Sequence, residues 1–267
     1  MIRKPNFKLN WRYALGELTL IFLGISLAIW FNNWNDKRKR SKLEEEVLLQ
    51  IYIEILTNRD DIQGDLQQLS FGLQSHENIE RYIAQDLAYV DSMCFDFHWL
   101  KHDEYAFPAT GGYENLKSLG LDLIKNDTIR QNIQLTYEFG YPRVSRETPF
   151  HPNIDEFFTP YYLKHFTTNE DTTLVFSRPW VGGTVGYPFW SEVGGVKHDM
   201  HIGYVPLDYE ALKKDPEFKV LMRQAKIYRT YKMRQYQRML KVTDELSALI
   251  ERQLKFEPDP LEDPDTP

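Results

Sequence analysis

Between Tyr13 and Phe31 the chain runs nineteen mostly apolar residues, interrupted by one carboxylate, Glu17, with polar and basic-rich sequence on both sides. As a helix rising about 1.5 Å per residue, such a run reaches roughly 28 Å, close to the hydrocarbon thickness of a bilayer. Glu17 lies in the first turns, where its carboxylate can reach headgroup water; at the bilayer centre a charge costs at least about 2.5 kcal/mol. Trp11, Tyr13, Trp30 and Trp34 mark the two ends, where amphipathic rings favour the interface. The reading is a transmembrane helix over 13–31, preceded by a basic tail over 1–12. Two alternatives stand beside it. One is a cleaved signal peptide ending near Ser26-Leu27-Ala28, although the apolar run continues past that point. The other is a buried core helix.

Charge gives little guidance on orientation. Arg3, Lys4, Lys8 and Arg12 stand before the span, and Lys37, Arg38, Lys39, Arg40 and Lys42 stand after it. An apolar segment this near the N-terminus ordinarily works as an uncleaved export signal, and large domains cross despite flanking charge. The expectation is therefore a single-pass protein of the inner membrane with its body on the periplasmic side. Gly24 and Ala28 form a small-xxx-small pair that permits close approach of a second span. The Lys37–Lys42 cluster suits anionic lipid headgroups.

The net charge of −7 is mostly a property of the C-terminal tail, where Glu257, Asp259, Glu262, Asp263 and Asp265 supply five negative charges and leave −2 for the rest. A nearly neutral body has no basic field for nucleic acid, so no nucleic-acid partner is expected. The tail over 257–267, with Pro258, Pro260, Pro264 and Pro267, reads as disordered. The single cysteine, Cys94, cannot form an internal disulfide and reads as a buried apolar residue.

The extramembrane body, 32–256, reads as mainly α. From Lys42 onward Leu48, Ile55, Ile62, Leu69, His76 and Ile83 recur every seven residues, with Leu66, Leu73 and Leu87 as a companion row. Gly64 and Gly72 predict interruptions in this long helix. His76 falls on the seam as a core histidine. A second long helix is predicted over 208–254 from Leu221, Ala225, Tyr228, Met239, Val242, Leu246 and Leu249, with Pro216 in its first turns or dividing off a short helix. Antiparallel pairing of the two would bury both stripes. Between them Tyr113–Phe139 reads as helix, break at Gly120 and helix, with an Asn126-Asp127 cap and a stop at Gly140-Tyr141-Pro142.

Two stretches, Arg12-Tyr-Ala-Leu-Gly-Glu-Leu with Asn32-Asn-Trp-Asn-Asp-Lys-Arg38, and Tyr113-Glu-Asn-Leu-Lys-Ser-Leu-Gly120 with Leu123-Ile-Lys-Asn-Asp-Thr-Ile-Arg130, resemble a large family of single-span membrane proteins of Bacteroidota. The resemblance implies a membrane anchor followed by long helices. It implies no activity, cofactor or catalytic residue.

The region of about 142–206 reads as an irregular, aromatic-rich insert. Trp180, Tyr187, Phe189 and Trp190 lie among turn glycines, with short strands predicted over 172–176 and 202–205. Metal candidates are weak. His98 and His102 would share one helical face, Asp103 follows, and His198 and His201 form a second group about a hundred residues away without an HExxH motif. No nucleophile elbow or Ser-His-Asp spacing is present. The leading expectation is a non-enzymatic interaction, sensing or scaffolding module without a cofactor, associating with a protein partner or with itself. The alternatives are a metal-dependent hydrolase built on the histidine groups and a small-molecule binder using the insert.

Overall fold

The structure, a computed structural model, describes residues 11–145, 152–171, 173–174, 176–180, 183–187, 189–193, 196–200 and 203–254, with 12–14 and 176–200 described by backbone alone. The fold is mainly α. Helix α1 runs from Trp11 to Ala84 without a break, carrying the apolar N-terminal run and the heptad segment as one rod. The interruptions predicted at Gly64 and Gly72 do not occur. A glycine in a helix costs about 1 kcal/mol relative to alanine, and burying Ile55, Ile62 and Leu69 nearby, at roughly 1.5–3 kcal/mol each, outweighs it.

Beyond α1 lie α2 (Met93–Lys101), α3 (Gly111–Leu119) and α4 (Asp127–Leu135). The predicted break after Leu119 is a short 3-10 turn over Leu121–Leu123, and Asn126 caps α4 by accepting from the amides of Thr128 and Ile129. Helix α4 passes into a π turn, Thr136–Gly140, that ends at the predicted Gly140, and a 3-10 turn, Tyr141–Arg143, follows.

The insert is more regular than predicted. It holds helix α5 (Ile154–His165), capped by Asn153, and six strands paired antiparallel in twos: β1 (Phe166–Thr168) with β6 (Tyr204–Pro206), β2 (Phe176–Trp180) with β3 (Gly183–Tyr187), and β4 (Phe189–Val193) with β5 (Val196–Met200). The strand predicted over 172–176 begins only at Phe176, and that over 202–205 is displaced to Tyr204–Pro206. Helix α5 was hidden because Pro160, which reads as a break, lies inside it, although the buried Ile154, Phe158, Tyr161 and Tyr162 follow helical spacing.

After α6 (Tyr209–Lys214), helix α7 (Pro216–Leu254) opens on its proline, where the missing N–H costs nothing. It runs antiparallel to α1. Lys226 pairs with Glu80, Arg229 reaches Gly72, Arg59 pairs with Asp244, and Tyr52 donates to Glu251. Of the predicted α7 stripe, Ala225, Met239 and Leu246 are buried, whereas at Leu221, Tyr228, Val242 and Leu249 the buried face is offset by one position. Phe218, Met222, Ala225, Arg229, Lys232, Tyr236, Met239, Thr243, Leu246 and Ile250 face inward, while Leu221, Tyr228, Val242 and Leu249 flank them. On α1, Leu87 lies past the helix end and is exposed, whereas Leu66 packs on the core.

Two main apolar clusters result. The first joins α1 from Val47 to Leu69 with α3, α4, Tyr137, Tyr141 and the Tyr236–Ile250 part of α7. The second joins Ile79 with α2, α5 and the Phe218–Ala225 part of α7. Cys94 is fully buried beside Phe71, Phe95 and Trp99, and burial pushes its thiol up to about 12.

Gly72 shows how tightly the rods approach. A Cβ there would lie 2.5 Å from Arg229 Nε. Gly72→Ala should therefore lower stability by at least about 2 kcal/mol in a denaturant titration, since displacing a guanidinium from its carbonyl partners outweighs the roughly 1 kcal/mol gain in helix propensity.

Candidate functional site: an exposed apolar rod joined to a buried charged layer

The N-terminal third of α1 is bare. Leu18, Leu20, Ile21, Phe22, Leu23, Ile25, Leu27, Ile29, Trp30 and Phe31 are all more than half exposed. Among the described residues α1 is the one helix long and apolar enough to cross a membrane, and none of its apolar window is buried. The core-helix alternative therefore fails, because a core helix would have protein around it. A soluble monomer rarely exposes an apolar patch beyond a few hundred Å², so this rod needs a covering. Tyr13, Glu17, Gly24, Ala28, Trp30 and Trp34 all lie within the helix, with Gly24 and Ala28 one turn apart on one face.

The cations beyond the apolar run form a collar. Lys37, Arg38, Lys39 and Arg40 are consecutive on α1, so at about 100° per residue they point to every side. Arg38 stacks over Trp34 at 5.9 Å. Arg40 reaches Asp122 at 2.5 Å, in the turn between α3 and α4, and so joins the collar to the base of the folded body. That contact lies about 14 Å along the helix from Phe31, while Ala84 lies about 80 Å from it.

The predicted histidine groups are placed as follows. His98 lies in the last turn of α2, and His102 follows as its C-cap. Their rings stack at 5.9 Å, and His98 also stacks on Tyr204. Burial, then His102 and Lys101, push the His98 pKa down to about 4, so it is neutral at physiological pH. His102 Nε2 contacts Gln68 Oε1 at 3.0 Å and Glu104 Oε1 at 2.8 Å. Asp103 is committed elsewhere. Its Oδ1 holds Lys232 Nζ at 2.6 Å and its Oδ2 accepts from the Ile154 amide. Among the described residues no group of three or more His, Cys, Asp or Glu could hold a metal. His198 lies in β5, described by backbone alone, and His201 lies outside the described residues.

What the sequence reading missed is the charged layer between the two apolar clusters. Arg229 is fully buried, and its guanidinium donates to the carbonyls of Gly72, Leu100 and His102. It thus satisfies carbonyls at the α2 C-terminus that have no intrahelical partner. Burial lowers its pKa to about 10, which leaves it charged. Lys232, 1% exposed, pairs with Asp103, 2% exposed, and sits 3.7 Å over the Tyr105 ring. The Tyr236 hydroxyl receives the Ala106 amide at 2.8 Å and lies 3.4 Å from Asp65 Oδ2. On α1 the fully buried His76 ring faces the same region, with Nε2 3.2 Å from Glu80 Oε1. A signal was available: positions 229, 232 and 236 continue the 3-4 spacing of α7's buried stripe, yet all three are polar.

No protein-family model, curated protein or solved structure matches the chain.

The layer generates two tests. Removing one member of the buried Lys232–Asp103 pair strands a charge, so Lys232→Met should cost about 3–5 kcal/mol, while Lys232→Met with Asp103→Asn, which removes the charge and keeps an acceptor for the Ile154 amide, should recover much of it. Asp65 titrates unusually. Burial, then Asp61 and Glu104, raise its pKa to about 7. Its folded pKa lies above its unfolded value, so the folded state binds the proton more tightly and this contribution is lost as pH rises from about 4 to 7. Asp65→Asn should abolish that slope in urea titrations across this range and be more stable than the parent at pH 8.

Proposed function

We propose that this chain is a single-pass protein of the inner membrane whose α1 anchors and displays a non-enzymatic interaction module on the periplasmic side. The observation that carries this reading is the uninterrupted helix from the bare apolar run into the body's core. A rod without a joint holds the α2, α5 and α6 end away from the bilayer at a height of tens of ångströms. Its collar of Lys37, Arg38, Lys39 and Arg40 meets anionic headgroups. The resemblance to single-span proteins of Bacteroidota agrees with the anchor and adds no activity. A protein partner, or self-association through Gly24 and Ala28, gives such a display its use.

Two experiments test this. The full chain should stay with membranes after alkaline carbonate washing, keep an N-terminus upstream of Ala28 by mass spectrometry, and release into the soluble fraction when Leu20, Leu23 and Leu27 are replaced by arginine. A C-terminal reporter active only outside the cytoplasm should be active. A chain beginning at Ile29, or a wild-type chain soluble without detergent, removes the anchor. An inactive reporter places the body in the cytoplasm.

A further inference from the structure

Thr136–Gly140 forms a π turn, and such turns recur at functional sites. Here it opens a groove of about 400 Å³ between itself and α7. Gly140 makes the close approach possible, since a Cβ there would lie 2.8 Å from Met239 Sδ. Leu135 and Phe139, 56% and 57% exposed, form one wall with Met239 and Val242 opposite. Arg143 and Arg238 stand at the rim, and neither has an ion-pair partner among the described residues. The exposed Phe139 ring and Leu135, between two guanidinium groups without an ion-pair partner among the described residues, suit an extended peptide that alternates small apolar and acidic residues.

The chain carries such a segment. Residues 255–267, outside the described residues, contain Phe256, Leu261, four prolines and five carboxylates. Proline-rich sequence favours the polyproline II form, already extended and low in entropy, which docks on aromatic grooves. Reach allows it. Thirteen residues at about 3.1 Å each span about 40 Å, whereas Leu254 to Val242 and Arg238 is about 18–24 Å along the same helix. We propose that the acidic, proline-rich segment 255–267 docks within its own chain into this groove, its carboxylates on Arg143 and Arg238 and its apolar residues on Phe139 and Leu135. Tethering supplies an effective concentration near the millimolar range, so a weak contact suffices.

The test uses the full chain in detergent with the photo-cross-linker p-benzoylphenylalanine in place of Phe139. Irradiation of dilute protein should link residue 139 to residues 256–265 of the same chain. Arg143→Glu with Arg238→Glu should lower the yield at least tenfold without shifting the unfolding temperature, because both side chains are on the surface. Adding Asp263→Lys and Asp265→Lys to that variant should restore the yield. Links joining two chains would assign the groove to a second copy and overturn the proposal. No link to the tail, a yield indifferent to the charge reversal, or a reversal without rescue would overturn it as well.

Discussion

One helix carries two different surfaces, and the rest of the molecule follows from how it does so. Over its first third α1 exposes a run of apolar side chains long enough to cross a membrane. From Val47 it presents an apolar stripe on one side, which suits protein. The change occurs within the charged stretch 36–42, with no break in the backbone hydrogen bonding. Because the rod is continuous, the body's position is set by the helix axis. The Arg40–Asp122 contact then brings the α3–α4 turn down to the cation collar. Any tilt of the apolar segment becomes a tilt of the body.

The body solves a second problem, that of holding two apolar cores on one pair of helices. Between Leu69 and Ile79 on α1, and between Ala225 and Tyr236 on α7, the interface changes from hydrocarbon contacts to Gly72, His76, Arg229 and Lys232. Buried charges of this kind add little net stability, because desolvation offsets most of the Coulomb gain. They act on alignment. Arg229 reaches its carbonyls only if α7, the Gly72 turn of α1 and the end of α2 are in register, and Lys232 reaches Asp103 only if the loop after α2 is in place. A slip of one helical turn along α7 would leave both cations without partners. Apolar stripes alone tolerate such a slip far better.

This division explains what could be read from the chain. The apolar run, the long helices, the Asn126 cap and the break after Leu119 are local or periodic, and each depends on residues within a turn or two. Helix continuity through Gly64 and Gly72 was not legible, because a glycine's cost is local whereas the burial that outweighs it comes from α7, more than 150 residues away in sequence. Helix α5 was obscured by Pro160, which reads as a break although Ile154, Phe157, Phe158, Tyr161 and Tyr162 form one apolar stripe at helical spacing. The candidate site divides in the same way. His98 and His102 were recognised as near neighbours in space, yet only the tertiary structure reveals that Asp103 belongs to Lys232.

The misplaced stripe on α7 carries a more general point. Choosing Leu221, Tyr228, Val242 and Leu249 as inward-facing residues favours the most apolar side chains, and these prove to be flanking positions. The true inward face includes an arginine, a lysine and a tyrosine because those side chains make contacts that leucine could not: guanidinium to helix-end carbonyls, ammonium to carboxylate, hydroxyl to amide. Hydropathy ranks residues by their transfer from water, as though the interior were uniform oil. Where an interior contains the end of another helix, its unpaired carbonyls make a buried cation favourable, and the pattern to seek is regular spacing, whatever the polarity of the residues that occupy it.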